Sequence, residues 1–237
     1  ETIDTFRPWI AVLLNLSPDH LDRHASFEEY GRAKARVFEN QTAEDWAVVN
    51  ADESGLDSIT LTVRARRFEF AVERQVGEGV GVADGFIVEY RRGTVRRVMH
   101  VEAVQVPGRH LFADVLAATA VALLAGVAPE AIERDVRGYR GIEHALELVV
   151  ETGGVRCVND SKATNVVSAR RAIESFDRGV VPILGGHYKG GAFEDLREVV
   201  SSRASALVVI GEAADRITAA LSGLVPIERA SSMDDAV

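Results

Sequence analysis

From residue 146 onward the chain alternates strands with helices, and that alternation limits the fold more than any other feature of the sequence. Short β-rich runs at 146–151, 155–158, 180–184 and 206–210 are interleaved with helical patterns at 166–176, 193–202 and 213–221. Such alternation predicts a parallel sheet with right-handed crossovers. Open sheets of this kind bind ligands beyond the carboxyl ends of their strands. One strand end carries an unusual density of chemistry: Asn159-Asp160-Ser161-Lys162-Ala163-Thr164-Asn165 offers an acid, a base, two hydroxyls and two amides. The following helix start would favour an anionic ligand. Asp160, Ser161, Thr164 and Asn165 are also ordinary helix caps, so a purely architectural role competes with a functional one.

The earlier part of the chain reads differently. The apolar run at 9–16 lacks alternation and predicts a buried parallel strand. After it come Asp19, His20, Asp22, Arg23 and His24, then a helix begun by Ser26 with Glu29 in capping-box position. Lys34 lies on that helix between Ala33 and Ala35, small neighbours that leave its amine room to reach a partner, although a helical lysine is more often a solvated surface group. A strand at 46–49 ends in the turn Asn50-Ala51-Asp52. Residues 63–106 alternate and turn, which predicts a small antiparallel meander. A long apolar helix spans about 110–125, and Pro129 opens another. Gly138-Tyr139-Arg140-Gly141 is the natural boundary, giving domains 1–140 and 141–237. Beyond it, Gly185-Gly186-His187-Tyr188-Lys189-Gly190-Gly191 follows a strand and lets the backbone approach a ligand, although a flexible loop has the same composition. Its spacing is not that of a Walker phosphate loop, and no such loop occurs in the chain.

Net charge is −9, which argues against nucleic acid as a partner. The arginine runs at 64–67 and 91–97 lie in strand-like segments and read as solvated faces. A single cysteine, Cys157, excludes a disulfide framework and points to a reducing compartment. No apolar run is long enough to cross a membrane, and no signal peptide is visible. A first residue other than Met, and an end just after a helix start, predict an interior piece of a longer protein.

These motifs together resemble the Mur ligase family. Asn15-Leu16-Ser17-Pro18-Asp19-His20-Leu21-Asp22-Arg23-His24, followed by Tyr30-Gly31-Arg32-Ala33-Lys34, is similar to its N-(V/L)-(T/S)-x-D-H-(L/M)-D-R…Y-x-x-A-K signature. The run from Asn159 to Asn165 resembles the branch that adds D-glutamate, as do Gly185-Gly186 with Lys189 and Gly141 with His144 and Glu147. The resemblance covers essentially the whole chain in order. It implies an α/β fold: the second half of a central ATP-binding domain at 1–140, then a truncated Rossmann-like domain that binds D-glutamate at 141–237. The phosphate loop and a UDP-binding domain would precede residue 1, so this piece alone is expected to be inactive.

The implied reaction is ATP-dependent ligation of D-glutamate to UDP-N-acetylmuramoyl-L-alanine through an acyl phosphate, in peptidoglycan precursor synthesis. The implied protein is a cytoplasmic monomer with no nucleic-acid or membrane partner. By resemblance, His20 and Lys34, the latter as a carbamate, would hold Mg²⁺. Asp160 and Asp114 would contact ATP. Lys34, Lys162 and His144 would act in catalysis, and Ser161, Thr164 and Lys189 would hold D-glutamate. Imidazole is an uncommon Mg²⁺ ligand, and chemistry alone would not select His20. The family pattern departs where this chain reads His110-Leu111-Phe112-Ala113-Asp114 instead of H-N-x-x-N, and His144-Ala145-Leu146-Glu147 instead of H-R-x-E. Leu111, Asp114 and Ala145 therefore change the nucleotide side, while the acceptor side is intact. A folate-type ligase of the same superfamily and a binding-only homologue are the rival readings.

Overall fold

The computed structural model describes residues 3–16, 24, 26–60, 62–188 and 190–237. The chain divides into two compact units, Glu1–Arg140 and Gly141–Val237. In the first, β1 (Ile10–Leu13) leads to α1 (Phe27–Ala35), β2 (Trp46–Asn50), α2 (Ser54–Thr60) and β3 (Arg66–Phe70). Then come β4 (Gly79–Ala83), β5 (Phe86–Arg91), β6 (Thr94–His100), α3 (Arg109–Leu124) and α4 (Pro129–Gly138). The six strands form one sheet in sequence order. β1 through β4 pair in parallel, and β4 through β6 pair antiparallel.

The predicted meander is therefore shorter than the residues 63–106 assigned to it. Its first strand, β3, joins the parallel part because α2 supplies a crossover from β2. Gly55 and the β-branched Ile59 and Thr60 hide that seven-residue helix from a periodicity argument.

β2 is buried along its whole length because both faces of the sheet are covered. Trp46 and Val48 face Phe68, Phe70, Leu116 and Ala120, beneath α3. Ala47 and Val49 face Leu13, Tyr30 and Leu56, beneath α1 and α2. The period-two side-chain alternation of a strand thus serves two cores at once. Polar groups set the ends of this sheet. The Arg7 guanidinium bonds Asp45 at 2.7 Å and holds its carboxyl below the usual carboxylate range. Asp52, just past β2, accepts from the N–H groups of Val72 at 2.7 Å and Arg74 at 3.0 Å, which fixes the loop after β3.

In the second unit β7 (Glu147–Thr152) and β8 (Val155–Asn159) are followed by α5 (Val166–Glu174), β9 (Ile183–Gly185) and α6 (Arg197–Arg203). β10 (Leu207–Ile210), α7 (Ala214–Leu221), β11 (Ile227–Arg229) and α8 (Met233–Ala236) complete it. The sheet order is β11-β10-β9, all parallel. Its helices bury Ile173, Leu196, Val199, Leu207, Ile217 and Leu221.

The runs at 146–151 and 155–158 do not enter that parallel series. They pair antiparallel as a separate hairpin. The cause is local: Gly153 and Gly154 both take positive φ, 58° and 80°, which a two-residue hairpin turn requires. Among the described residues no helix is long and apolar enough to cross a membrane.

Candidate functional site

The turn between β8 and α5 sorts its own side chains into two groups. Three of them build the turn. Asn165 caps α5, its Oδ1 accepting the Ser168 N–H at 2.8 Å. Asn159 Oδ1 accepts the Ser161 N–H at 3.0 Å. One Asp160 oxygen accepts the Leu146 N–H at 3.1 Å. The architectural reading of this stretch thus holds for its amides and in part for its acid. Ser161, Lys162 and Thr164 are exposed, so the side chains left to meet a ligand are two hydroxyls and an ammonium.

A second segment is locked onto this turn. His144 and Leu146 sit at φ 67° and 48°, conformations that non-glycine residues seldom adopt. Such strain persists only where the surroundings impose it, and it concentrates at functional sites. Here the backbone is held from several directions. The His144 N–H donates to Glu147 Oε2 at 2.8 Å, the His144 carbonyl accepts the Lys162 N–H at 3.1 Å, and Leu146 is tied to Asp160 as above.

The His144 ring is constrained as well, with its Nδ1 2.8 Å from Asn159 Nδ2. Because Asn159 Oδ1 is committed to Ser161, its amide NH₂ must face the ring and donate. Nδ1 then accepts, and the proton of the neutral imidazole lies on Nε2. His144 is exposed, its Nε2 lies 3.8 Å from Glu143 Oε1, and its carbonyl is bonded to the Lys162 N–H.

The glycine loop follows β9. Gly185 pairs with Ile210, and a Cβ on it would lie 2.0 Å from the Ile210 carbonyl oxygen. Only glycine fits there. Gly186 bonds both neighbours of the next strand end, donating to Ile210 O at 3.3 Å and accepting from the Ala213 N–H at 3.1 Å. Lys189 lies outside the described residues. Tyr188 before it and Gly190 after it are described, and Gly191 approaches Val166, the first residue of α5.

In the first unit Lys34 is half-buried near the end of α1, with its Nζ 5.0 Å from the centre of the Tyr30 ring. The His24 ring contacts the same tyrosine at 5.3 Å. Cation and aromatic are four residues apart, so the helix period stacks them. His20 lies outside the described residues. Among those described, no group of three or more His, Cys, Asp or Glu side chains could hold a metal ion. Asp114 is exposed in the opening turns of α3. At the start of that helix Arg109 pairs with Glu73 and lies 3.6 Å from Asp52. These contacts make Asp52 and Arg109 organisers of the carboxyl edge of the first sheet, a role that sequence reading missed. The Asn50-Ala51-Asp52 turn was the available signal.

The structure thus brings His144, Asp160, Ser161, Lys162 and Thr164 together in the second unit and places Lys34 and Asp114 in the first.

Residues 1–122 match the Mur ligase middle domain. The whole chain aligns with a UDP-N-acetylmuramoylalanine–D-glutamate ligase of Geotalea daltonii at 41% identity and with one of Acidobacterium capsulatum at 43%. It spans about half the length of these curated relatives, 52% of each. Among solved structures, MurF from Acinetobacter baumannii superposes with a TM-score of 0.73 at 18% identity, over 97% of this chain and 52% of that one. A Mycobacterium tuberculosis folylpolyglutamate synthase complexed with ADP gives 0.69 at 17%, over 96% and 55%. Identities this low speak for the fold alone. With the middle-domain match covering more than half of its 237 residues, on a fold shared with those structures, this chain belongs to the Mur ligase family.

Proposed function

We propose that this chain is part of an ATP-dependent ligase that joins D-glutamate to UDP-N-acetylmuramoyl-L-alanine. The observation that carries the reading is identity of about four-tenths along the entire chain to ligases named for that reaction. The motif turn supports it by leaving Ser161, Lys162 and Thr164 outward beside a strained, braced His144.

In the proposed reaction a carboxylate oxygen of the first substrate attacks the γ-phosphorus of ATP, and ADP leaves. The neutral D-glutamate amine then attacks the acyl carbon, phosphate departs with its bonding electrons, and the nitrogen gives up one proton to solvent or to the departing phosphate. Both steps move negative charge between oxygens, so fixed cations and N–H donors lower the barrier. Lys162 would neutralise charge on the transferred phosphoryl group. His144, with Nε2–H outward, would donate to the same oxygens or to the acyl oxygen. Ser161, Thr164 and Lys189 would hold the two acceptor carboxylates, since dianion recognition calls for charge-assisted hydrogen bonds. Asp160 and Asp114 would contact the nucleotide.

Mg²⁺ is the expected partner of ATP, supplying charge neutralisation of the phosphates. The described residues alone do not build its site, so nothing above depends on it. Carbamylation would turn Lys34 from an ammonium into an oxygen donor suited to that ion, and His20 would be a second ligand by family resemblance. The full protein is proposed to be a cytoplasmic monomer.

The test uses the full-length gene product with ATP, Mg²⁺ and UDP-N-acetylmuramoyl-L-alanine, following phosphate release with D-glutamate, L-glutamate, L-lysine or no acceptor. Release that depends on D-glutamate is expected, and release with another acceptor would refute the specificity. For Lys34, Lys34→Ala should remove most activity and acetate should restore part of it. A stable variant without rescue would refute the carbamate.

A further inference from the structure

Glu147 opens β7, Asn159 closes β8, and the two stand directly opposite each other in the hairpin. Opposed residues of an antiparallel pair send their side chains to the same face. Both of these reach His144. Glu147 Oε2 accepts the His144 N–H at 2.8 Å, and Asn159 Nδ2 lies 2.8 Å from the imidazole Nδ1. One holds the backbone of the histidine and the other holds its ring.

The register behind this pairing is not the one the Gly153-Gly154 turn alone would give. Thr152, Glu151 and Val150 pair in step with Val155, Arg156 and Cys157. Val149 is then skipped, so that Leu148 meets Val158 and Glu147 meets Asn159. Without that bulge Leu148 would stand opposite Asn159, and Glu147 would fall past the end of the ladder. Bulges of this kind re-aim side chains and gather beside active sites.

The strained backbone calls for such a partner. At φ 67° His144 lies in the left-handed region, where a residue with a Cβ stays only if it is held. Leu146, at φ 48°, is held by Asp160 and by burial of its own side chain, which is 4% exposed. His144 is exposed and has no such anchor. Its ties are the Glu147 oxygen, the Lys162 N–H and the Asn159 amide. The bond to Glu147 ends on a carboxylate, which makes it the strongest of the three. Glu143 also approaches the ring, 3.8 Å from Nε2, but that distance is beyond a hydrogen bond and its side chain is 78% exposed.

On the reading of the chain as a D-glutamate ligase, we propose that Glu147 is a positioning residue for His144. It clips the main chain of His144 into the conformation that sets the ring against Asn159, so that Nδ1 accepts and the proton stays on Nε2. The same clip steadies the His144 carbonyl that holds the Lys162 N–H. Glu147 acts through these two residues and does not touch the reacting atoms. Its effect is on the aim of a proton donor, and it therefore belongs to kcat and not to binding.

The experiment uses the full-length protein with ¹⁵N-labelled histidine and the variants Glu147→Met, Glu147→Gln and Glu143→Gln. Nitrogen NMR without substrates, at about pH 8, where an ordinary imidazole is neutral, reads the ring, and the loss of signals in His144→Gln identifies them. Steady-state kinetics with D-glutamate and ATP varied separately reads the use. In the wild type the two ring nitrogens should give widely separated signals, a bare Nδ1 and a protonated Nε2. Glu147→Met keeps the length of the side chain and removes its oxygens. Its ring signals should move toward each other as the tautomers average, and kcat should fall about tenfold with both KM values within about twofold. Glu147→Gln keeps an oxygen for the His144 N–H, so its ring signals should match the wild type and its kcat should stay within about threefold. Glu143→Gln should change kcat by less than about twofold. Unchanged ring signals in Glu147→Met, or altered signals with an unchanged kcat, would overturn the assignment. Equal losses in Glu147→Met and Glu147→Gln would overturn it as well, since the accepting oxygen would then be immaterial. So would loss of the fold in Glu147→Met, which would make the residue structural. The predicted ring response in a protein whose phosphate release never depends on D-glutamate would leave the positioning of the ring intact and refute the ligase reading.

Discussion

The two loops of the second unit reach a fixed shape by opposite means. The motif turn is self-braced: Asn159, Asp160 and Asn165 spend side-chain oxygens on backbone N–H groups at 3.0, 3.1 and 2.8 Å. Among the described residues of the glycine loop, no side-chain oxygen accepts a backbone N–H. Its contacts are backbone bonds to the neighbouring strand end, one bond from the Tyr188 hydroxyl to the Gly191 carbonyl, and the Arg216 guanidinium over the Tyr188 ring. A self-braced turn can expose Ser161, Lys162 and Thr164 and still hold them in place. A loop braced from outside depends on residues that carry no sign of that dependence in their own sequence. Separating bracing residues from outward ones is therefore the way to test which part of the turn does chemistry.

The largest effect is expected at Lys162, the outward cation. Lys162→Ala in the full-length protein should lower kcat by about 10²- to 10³-fold, the usual cost of removing a group that stabilises transition-state charge. Its thermal midpoint should hardly move, because the bonds that tie it to the fold are those of its backbone N–H and carbonyl, which alanine keeps. A large fall in the midpoint would make Lys162 a bracing residue and erase the distinction.

Asn159 sharpens the comparison because it braces in two directions. Asn159→Asp keeps an oxygen for the Ser161 N–H but cannot donate to His144 Nδ1. The turn should survive while the imidazole proton moves from Nε2 to Nδ1. A kcat lower by about tenfold, with an unchanged thermal midpoint, is the expected result for a misplaced acid–base proton. Asn159→Ala should lose stability as well. Equal kinetics for Asn159→Asp and the wild type would show that the tautomer is immaterial.

The smallest effect is expected at Asn165. Asn165→Ala removes the cap of α5 and should cost about 1 kcal/mol of stability. Denaturant unfolding measures that cost, and KM for D-glutamate should change little. A large kinetic effect without loss of stability would place Asn165 among the ligand contacts.

Much of this arrangement was legible in the sequence, for identifiable reasons. β1 announced itself as an unalternating apolar run because a parallel strand covered on both faces has no polar face to show. The motif turn was legible because its polar residues are packed into seven consecutive positions. The apolar runs of β7 and β8 resemble those of parallel strands, but the Gly153-Gly154 turn between them joins them antiparallel. In this structure the hairpin's Leu148, Val149 and Val155 remain more than half exposed, at 55%, 61% and 62%. Apolar content alone therefore overstated how much of it belonged to a buried sheet. α2 was missed because seven residues with two β-branched side chains carry no helical period. The bracing of His144 by Asn159 and of Tyr188 by Arg216 links positions 15 and 28 apart in the chain. No local pattern encodes such pairs, which emerge only when the hairpin and α7 are in place.

The central claim is that the outward hydroxyls of the motif turn meet the acceptor. Thr164→Val tests it most directly, because it removes the hydroxyl and keeps the β-branched shape. In the full-length enzyme, KM for D-glutamate should rise about tenfold, as expected when a charge-assisted hydrogen bond to a carboxylate is lost. KM for ATP should stay within about twofold of the wild type. An equal rise in both constants, or no change in that for D-glutamate, would contradict the assignment of this turn to the acceptor.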